Sequence, residues 1–132
     1  MGEEFRKFVF GGIKVLFFMA LPILAAFYAD SLFFWSIFIS FLVTMAGFLL
    51  NCTVIIANHG KMPIVAESER YLDPFHVKIT RSTHLKFLSD IFLNKDHEIK
   101  SLGDYMVDTG IFLYIIFLLS NIVFRLVWHA LN

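Results

Sequence analysis

The sequence predicts an all-α membrane protein with three transmembrane helices and a cytoplasmic loop that contains a short amphipathic interfacial helix. The chain has 132 residues, is 58% hydrophobic and contains 17 Phe, and its mean hydropathy is +0.74. A soluble domain of this length has too little polar surface to cover so much apolar material. Three apolar runs each reach the about 20 residues that a helix needs to cross a bilayer. Residues 1–132 are therefore expected to form a single integral membrane domain.

The three apolar runs define the predicted spans and their connections. The spans cover about residues 8–28, 32–56 and 105–128. The short connection at Asp30 is a tight turn, which makes the first two helices an antiparallel hairpin. The second connection is a polar loop of about residues 58–104.

Basic residues predict how the helices are oriented in the cell membrane. Arg6 and Lys7 precede the first span and the long loop carries further Lys and Arg residues, whereas the turn at Asp30 carries none. Because cytoplasmic segments are enriched in these residues, we expect the N-terminus and the long loop in the cytoplasm and the C-terminus outside. Arg125, near the outer end of the third span, is expected to pair with Asp30.

Capping signals predict where two of the helices end and begin. Gly60 suits the left-handed position after a helix, and Pro63 prevents the helix from continuing. Ser101 and Asp104 have the spacing of a capping box, which is expected to start the third span.

Two helices are predicted inside the loop. Asp73 followed by Pro74 is typical of a helix start. Residues 82–93 place Leu85 and Leu88 at helical spacing, with charged side chains on the other face. This pattern predicts a short amphipathic helix at the cytoplasmic interface, and the alternative is a helix packed against the spans.

Small and polar residues recur at helical spacing along one face of the second span. Such residues let helices approach closely, and Asn can hydrogen-bond to a neighbouring helix. The pattern predicts a helix-packing seam, with a ligand-lining face as the alternative. Its members are Ser36, Ser40, Thr44, Gly47, Asn51 and Asn58.

One polar residue from each span lies near the same depth. At 1.5 Å per residue, Lys14, Asn51 and Asp108 all fall within roughly 6–10 Å of the cytoplasmic boundary. We therefore expect Lys14 and Asp108 to form a charge pair beside Asn51. The alternative is that Lys14 extends to the headgroups and Asp108 lies in a hydrated first turn.

Three sequence blocks resemble a known family. They are LLNCTVIIANHGKMPI at residues 49–64, HLKFLSDIF at 84–92 and IKSLGDYMVDTGIF at 99–112. Together they are similar to an uncharacterised family of small bacterial integral membrane proteins, a domain of unknown function with N-x-G-K/R-M-P and S-L-G-D motifs. Members of that family tend to have a longer N-terminal half and a Gly where this chain has His59. The resemblance implies a fold and no established activity.

The resemblance marks residues at both ends of the loop. The implied signature positions are Asn51, Asn58, Gly60, Lys61, Met62, Pro63, Asp90, Ser101, Gly103 and Asp104. Four of them are expected to converge at a cytoplasmic polar mouth, defined as Asn58, Lys61, Asp90 and Asp104.

The polar mouth has three possible roles. Lys61 with backbone donors would suit a phosphate or headgroup, and Asp90 with Asp104 would suit a cation. The third possibility is a network that only ties the loop to the helix ends. With the residues inside the spans, the candidate binding residues are Asn51, Asn58, Lys61, Asp90, Asp104, Asp108 and Lys14.

Several functional classes are disfavoured by the sequence. Eleven basic and 11 acidic residues give a net charge of zero, so there is no basic surplus for nucleic acid. The histidines are too widely spaced for a zinc motif, no catalytic nucleophile lies in a recognisable turn, and Cys52 is expected to act as a small apolar residue. No cofactor, metal or catalytic residue is expected.

The leading hypothesis is a non-catalytic binding or accessory-subunit role. Its partners would be membrane lipids and either further copies of the chain or a larger membrane protein. An oligomeric channel or transporter for a small cation or solute is the first alternative, through Lys14, Asn51, Asp104 and Asp108. The second is a membrane enzyme acting on a lipid-linked substrate, with Asp90, Asp104 or His59 as acid or base.

Overall fold

Three long helices make up most of the protein. The computed structural model describes residues 2–26, 31–65, 74–93 and 99–131. The helices are α1 (Glu3–Ala26), α2 (Ser31–Ala57) and α3 (Leu102–Leu131). α2 lies between the other two and makes its most extensive contact with α3. At the loop end, each helix runs a little beyond its predicted span.

Two of the helices have the character of membrane spans. Within the described residues, Phe33–Ala57 and Leu102–Leu131 are long and apolar enough to cross a membrane. Large apolar side chains point outward on all three helices, for example Phe18 at 68%, Trp35 at 55% and Phe124 at 65% exposure. A helical protein with outward-facing apolar surface is suited to a lipid environment.

α2 ends in a left-handed cap, as its sequence predicts. Gly60 N donates to Ile55 O at 2.8 Å and His59 N donates to Ile56 O at 3.3 Å, which is the Schellman pattern. Both His59 (φ 59°) and Gly60 (φ 86°) have left-handed backbone conformations. His59 therefore occupies a conformation that glycine adopts at much lower energy.

The loop contains β structure that the all-α prediction lacks. β1 (Met62–Ile64) pairs in parallel with β2 (His76–Lys78). On its other side, β1 forms a bridge to Asp90, where Asp90 N donates to Pro63 O at 3.0 Å and Val65 N donates to Asp90 O at 2.9 Å. β1 is therefore the centre of a small parallel arrangement beneath the ends of the helices.

The predicted amphipathic helix at residues 82–93 is wrong. Only Lys86–Leu88 form a 3-10 turn, and β3 (Phe92–Leu93) pairs antiparallel with β4 (Ile99–Lys100). Leu85 has a left-handed conformation with φ 53°, and the backbone of Asp90 is hydrogen-bonded to β1 and Val65. Both features interrupt an α-helix.

The predicted helix start at Asp73-Pro74 is not followed by a helix. Asp73 lies outside the described residues, whereas Pro74 and Phe75 form a turn that leads into β2. Phe75 O accepts a hydrogen bond from Met62 N at 2.9 Å. Pairing with β1 thus determines the conformation of this segment.

Two apolar clusters hold the elements together. The loop-end cluster is centred on Phe5, Val54, Ile55, Met62 and Leu88. It joins the start of α1, the end of α2 and the loop.

The second cluster, Met19, Ile37 and Tyr114, joins the three helices further along their length. There the Tyr114 hydroxyl donates to Met19 O at 3.1 Å. Because Phe5 belongs to the loop-end cluster, the N-terminus of α1 lies at the same end of the molecule as the loop.

Candidate functional site

The small-residue face of α2 is covered by α3. Ser40, Thr44 and Asn51 are at most 3% exposed. The Thr44 hydroxyl donates to Ser40 O at 3.1 Å, so it is satisfied within its own helix. On α3, Gly110 lies so close that an added Cβ would overlap the Thr44 hydroxyl. This face is therefore a helix-packing seam.

A closed hydrogen-bond network lies where α3 begins. Ser101 N donates to Asp104 Oδ2 at 2.9 Å, and Asp104 N donates to Ser101 Oγ at 3.0 Å, which confirms the capping box. Asn51 completes the network: its Nδ2 donates to Asp104 Oδ1 at 2.7 Å, and its Oδ1 accepts from Ser101 Oγ at 2.9 Å. Both carboxylate oxygens of Asp104 are thus occupied: Oδ1 ties α3 to Asn51 of α2, and Oδ2 closes the capping box of α3 itself.

Asn58 fastens the loop to the end of α2. Its Nδ2 donates to Val54 O at 2.9 Å and to His84 O at 3.0 Å, and its Oδ1 accepts from His84 N at 3.0 Å. The side-chain amide pairs with the backbone of His84 as a neighbouring strand would. These contacts give Asn58 a structural role.

The predicted charge pair between Lys14 and Asp108 is wrong. Asp108 Oδ2 lies 2.8 Å from Lys100 Nζ instead, because β4 leads directly into α3 and brings Lys100 to the exposed side of Asp108. Lys14 lies on the exposed face of α1, and Lys61 is also exposed. Asn51 has Asp104, and not a lysine, as its polar partner.

Lys14 belongs to an open groove on the first half of α1. The groove has a volume of about 470 Å³ and is lined by Glu3, Arg6, Lys7, Phe10, Gly11 and Lys14. Lys7 Nζ lies 3.2 Å from Glu3 Oε1 and 2.8 Å from Glu4 Oε1. Within the described residues, no carboxylate pairs with Arg6 or Lys14, so these two cations give the groove its positive character.

Asp90 is the most unusual polar residue of the loop. Its side chain is only 7% exposed, and its Oδ2 lies 3.4 Å from His76 Nε2. Its Oδ1 is buried and has no hydrogen-bond partner among the described residues. Burial raises the pKa of the Asp90 carboxyl above its ordinary value; the contact with His76 opposes that shift, and the Asp104 carboxylate adds to it. A buried acceptor without a partner calls for an explanation beyond folding.

The sequence did not single out His76 as a functional residue. It is brought to Asp90 by the pairing of β2 with β1 and of β1 with Asp90, and no local spacing signals this contact. Among the described residues, no three His, Cys, Asp or Glu side chains cluster as a metal site would require.

The predicted outer pair between Asp30 and Arg125 cannot be described in full, because Asp30 lies outside the described residues. Arg125 Nε donates to Asn121 Oδ1 at 3.0 Å, one turn earlier on α3. Phe124 and Trp128 stack beside it with ring centroids 6.4 Å apart.

Together these features define a mostly helical protein with two candidate membrane-spanning helices and a polar loop packed against one end. The chain belongs to DUF5317, a family of unknown function, whose model matches residues 8–116. No curated protein and no solved structure matches the chain. The family match confirms the resemblance seen in the sequence.

Proposed function

We propose that this protein is a three-span integral membrane protein with a non-catalytic binding role, and that its cytoplasmic end holds anionic lipid headgroups. In this proposal α1 is the third span, the N-terminus and the loop face the cytoplasm, and the C-terminus lies outside. The basic residues of α1 and the loop support this orientation. The outward-facing apolar side chains of all three helices support insertion.

The groove on α1 is the observation that carries the binding role. Arg6 and Lys14 both line it, and Phe10 and Gly11 lie between them along α1. An added Cβ at Gly11 would meet nothing within 4 Å, so the groove is open at its centre. Two cations beside an apolar surface match a phosphate group attached to an acyl chain.

The position of the groove supports the same ligand. Phe10, Phe17 and Phe18 are each more than 60% exposed and continue along α1 away from the loop. The start of α1 packs through Phe5 into the loop-end cluster, which places the cations at the end of the molecule that the proposal assigns to the cytoplasm. That membrane face carries the anionic lipids of a cell membrane.

Conduction and catalysis have less support. A pathway between α2 and α3 would need free polar groups along their contact, yet Asn51 and Asp104 bind each other and Asp108 binds Lys100 on the exposed side. Because Asp104 is already held by Asn51, it is also a poor candidate for the acid or base of a catalytic site.

Lipid retention tests the proposal. The protein, its Arg6→Gln/Lys14→Gln variant and a Lys78→Gln/Arg81→Gln control are placed in nanodiscs of mixed phosphatidylglycerol and phosphatidylcholine, and the retained lipid is measured by native mass spectrometry. The control removes two exposed cations of the loop, so its net charge is the same. We expect the groove variant to lose the preference for phosphatidylglycerol by about thirtyfold, since two surface cations at about 1 kcal/mol each contribute about 2 kcal/mol.

Two results would overturn the binding role. One is equal retention of the two lipids by the unmodified protein. The other is an equal loss in the groove variant and the control, which would indicate a general effect of charge.

A further inference from the structure

Asp90 and His76 form a buried acid–base pair that the proposed lipid site does not use. Asp90 Oδ2 lies 3.4 Å from His76 Nε2, and the two side chains are 7% and 24% exposed. In the part of the chain that the structure describes, no group donates a hydrogen bond to Asp90 Oδ1. A carboxylate held this way is unfavourable unless a positive charge or a proton accompanies it.

Among the described residues, the other charged groups near the pair do not supply that positive charge. Asp104, at the start of α3, is the second charged group that acts on the Asp90 carboxyl, and it is negative. β1 packs against Asp90 through Pro63, Ile64 and Val65, none of which titrates. Within the part of the chain that the structure describes, His76 is therefore the one group that can balance the charge of Asp90.

We propose that the His76–Asp90 pair binds one proton and that this proton keeps the segment around Asp90 attached to β1. With one proton shared between imidazole and carboxyl, the pair has no net charge. When the proton leaves, a buried carboxylate remains beside neutral His76 and close to Asp104. Because two coupled groups share the proton, the transition belongs to the pair as a unit.

The geometry explains how proton loss would detach the segment. Asp90 holds β1 through its own backbone, by Asp90 N to Pro63 O at 3.0 Å and Val65 N to Asp90 O at 2.9 Å. A charged Asp90 gains hydration by moving outward, and the same movement breaks both bonds. Leu88, two residues earlier, is part of the loop-end cluster, so the movement also loosens the loop from the helices.

Hydrogen exchange of the full-length protein in detergent tests this inference. Protection of the backbone amides of Val65 and Asp90, corrected for the intrinsic effect of pH on exchange, is measured between about pH 5 and pH 9, which brackets histidine and a raised carboxyl pKa. We expect protection to fall by about tenfold or more through one transition, since each pH unit above it favours the deprotonated state tenfold. In Asp90→Asn the transition should be absent.

Two further variants make the result decisive. Asp108→Asn removes a carboxylate that is 56% exposed and paired with Lys100, and it should keep the transition of the unmodified protein. His76→Ala removes one of the two groups that share the proton, so the midpoint of the transition should change. Protection that does not change with pH in the unmodified protein would overturn the inference, as would an unaltered transition in Asp90→Asn or in His76→Ala.

Discussion

At the scale of single residues, Asp90 is a position where the fold buries a carboxyl group at a cost in stability. Its carboxyl is buried, one of its oxygens has no partner within residues 2–26, 31–65, 74–93 and 99–131, and burial raises its pKa. Because the pKa of Asp90 is higher in the folded protein than in the unfolded chain, binding of a proton favours the folded state. This stabilising contribution is fully present below the ordinary pKa of about 3.9. That contribution is lost as the pH rises through the raised value.

Replacing Asp90 by Asn should therefore stabilise the protein at neutral pH. The amide can donate to His76 without carrying a buried charge, and we expect a gain of about 1 kcal/mol. Thermal unfolding at acid, neutral and alkaline pH measures it. The advantage of Asp90→Asn should grow as the pH rises, and a variant that is less stable at every pH would contradict this account.

His59 is a second residue whose backbone costs stability. It has φ 59° in the cap of α2, and a left-handed conformation costs an L-residue about 1–2 kcal/mol. We expect His59→Gly to raise the free energy of unfolding by about 1 kcal/mol.

His59→Ala is the matched control for the cap. Alanine also removes the imidazole, but it retains a Cβ and therefore the strain of the left-handed conformation. Thermal unfolding of the two variants separates these effects. Equal stability of the Gly and Ala variants would show that the left-handed backbone conformation of His59 does not lower the stability of the protein.

At the scale of elements, the contact between α2 and α3 depends on glycine. An added Cβ at Gly103 would overlap the Asn51 side chain, and one at Gly47 would lie 2.5 Å from Gly103 O. The same close approach lets Asn51 reach Ser101 and Asp104. Packing and the polar network are thus parts of one interface.

Gly103→Ala should weaken this interface. The added methyl group must displace Asn51, and we expect a loss of about 1–3 kcal/mol. Gly11→Ala is the control, because it also adds a methyl group within a helix but meets nothing within 4 Å. Unfolding by denaturant in mixed micelles compares them, and equal stability of the two variants would contradict the role of Gly103.

The elements that the sequence predicted are those set by local chemistry. The cap at His59 and Gly60 and the capping box of Ser101 and Asp104 each depend on a few consecutive residues. The loop helix at residues 82–93 was wrongly predicted because Leu85 and Leu88 do have helical spacing. The partner that overrides this spacing, β1, lies more than twenty residues earlier in the chain.

The candidate site was predicted less well for a related reason. Counting residues from the membrane boundary gives the depth of Lys14 and Asp108, but it leaves the rotation of each helix about its axis open. Asp108 faces Lys100, while Lys14 faces the groove on α1. Asn51 instead meets Asp104, a contact that the depth count did not predict, because the small-residue face of α2 turns Asn51 toward the start of α3.

At the scale of the whole molecule, exposed apolar surface is concentrated along the helices and away from the loop end. Nearly the whole last third of α3 is exposed, including Phe124, Leu126 and Trp128. Among the described residues, little covers this part of the helix, so lipid or a second membrane protein would have to do so. The loop end, in contrast, combines the polar network with a packed apolar cluster.

The proposed orientation makes a prediction about the two ends of the chain. A reporter enzyme that is active only outside the cytoplasm should be active when fused to the C-terminus and inactive when fused to the N-terminus. A two-span arrangement, with α1 lying on the membrane surface, would instead give the same outcome at both ends. Activity on the same side would therefore overturn the three-span proposal.

Pro63 makes the Asp90 side of β1 the weaker edge of the small sheet. Met62 N and Ile64 O face β2, so the nitrogen of Pro63 faces Asp90 and has no hydrogen to donate. The Asp90 side of β1 is consequently held by two backbone bonds and cannot gain a third from this residue. When the loop opens, the break should follow that edge and leave the pairing of β1 with β2 intact. The loop would then expose a new strand edge, to which a partner chain could add a strand of its own.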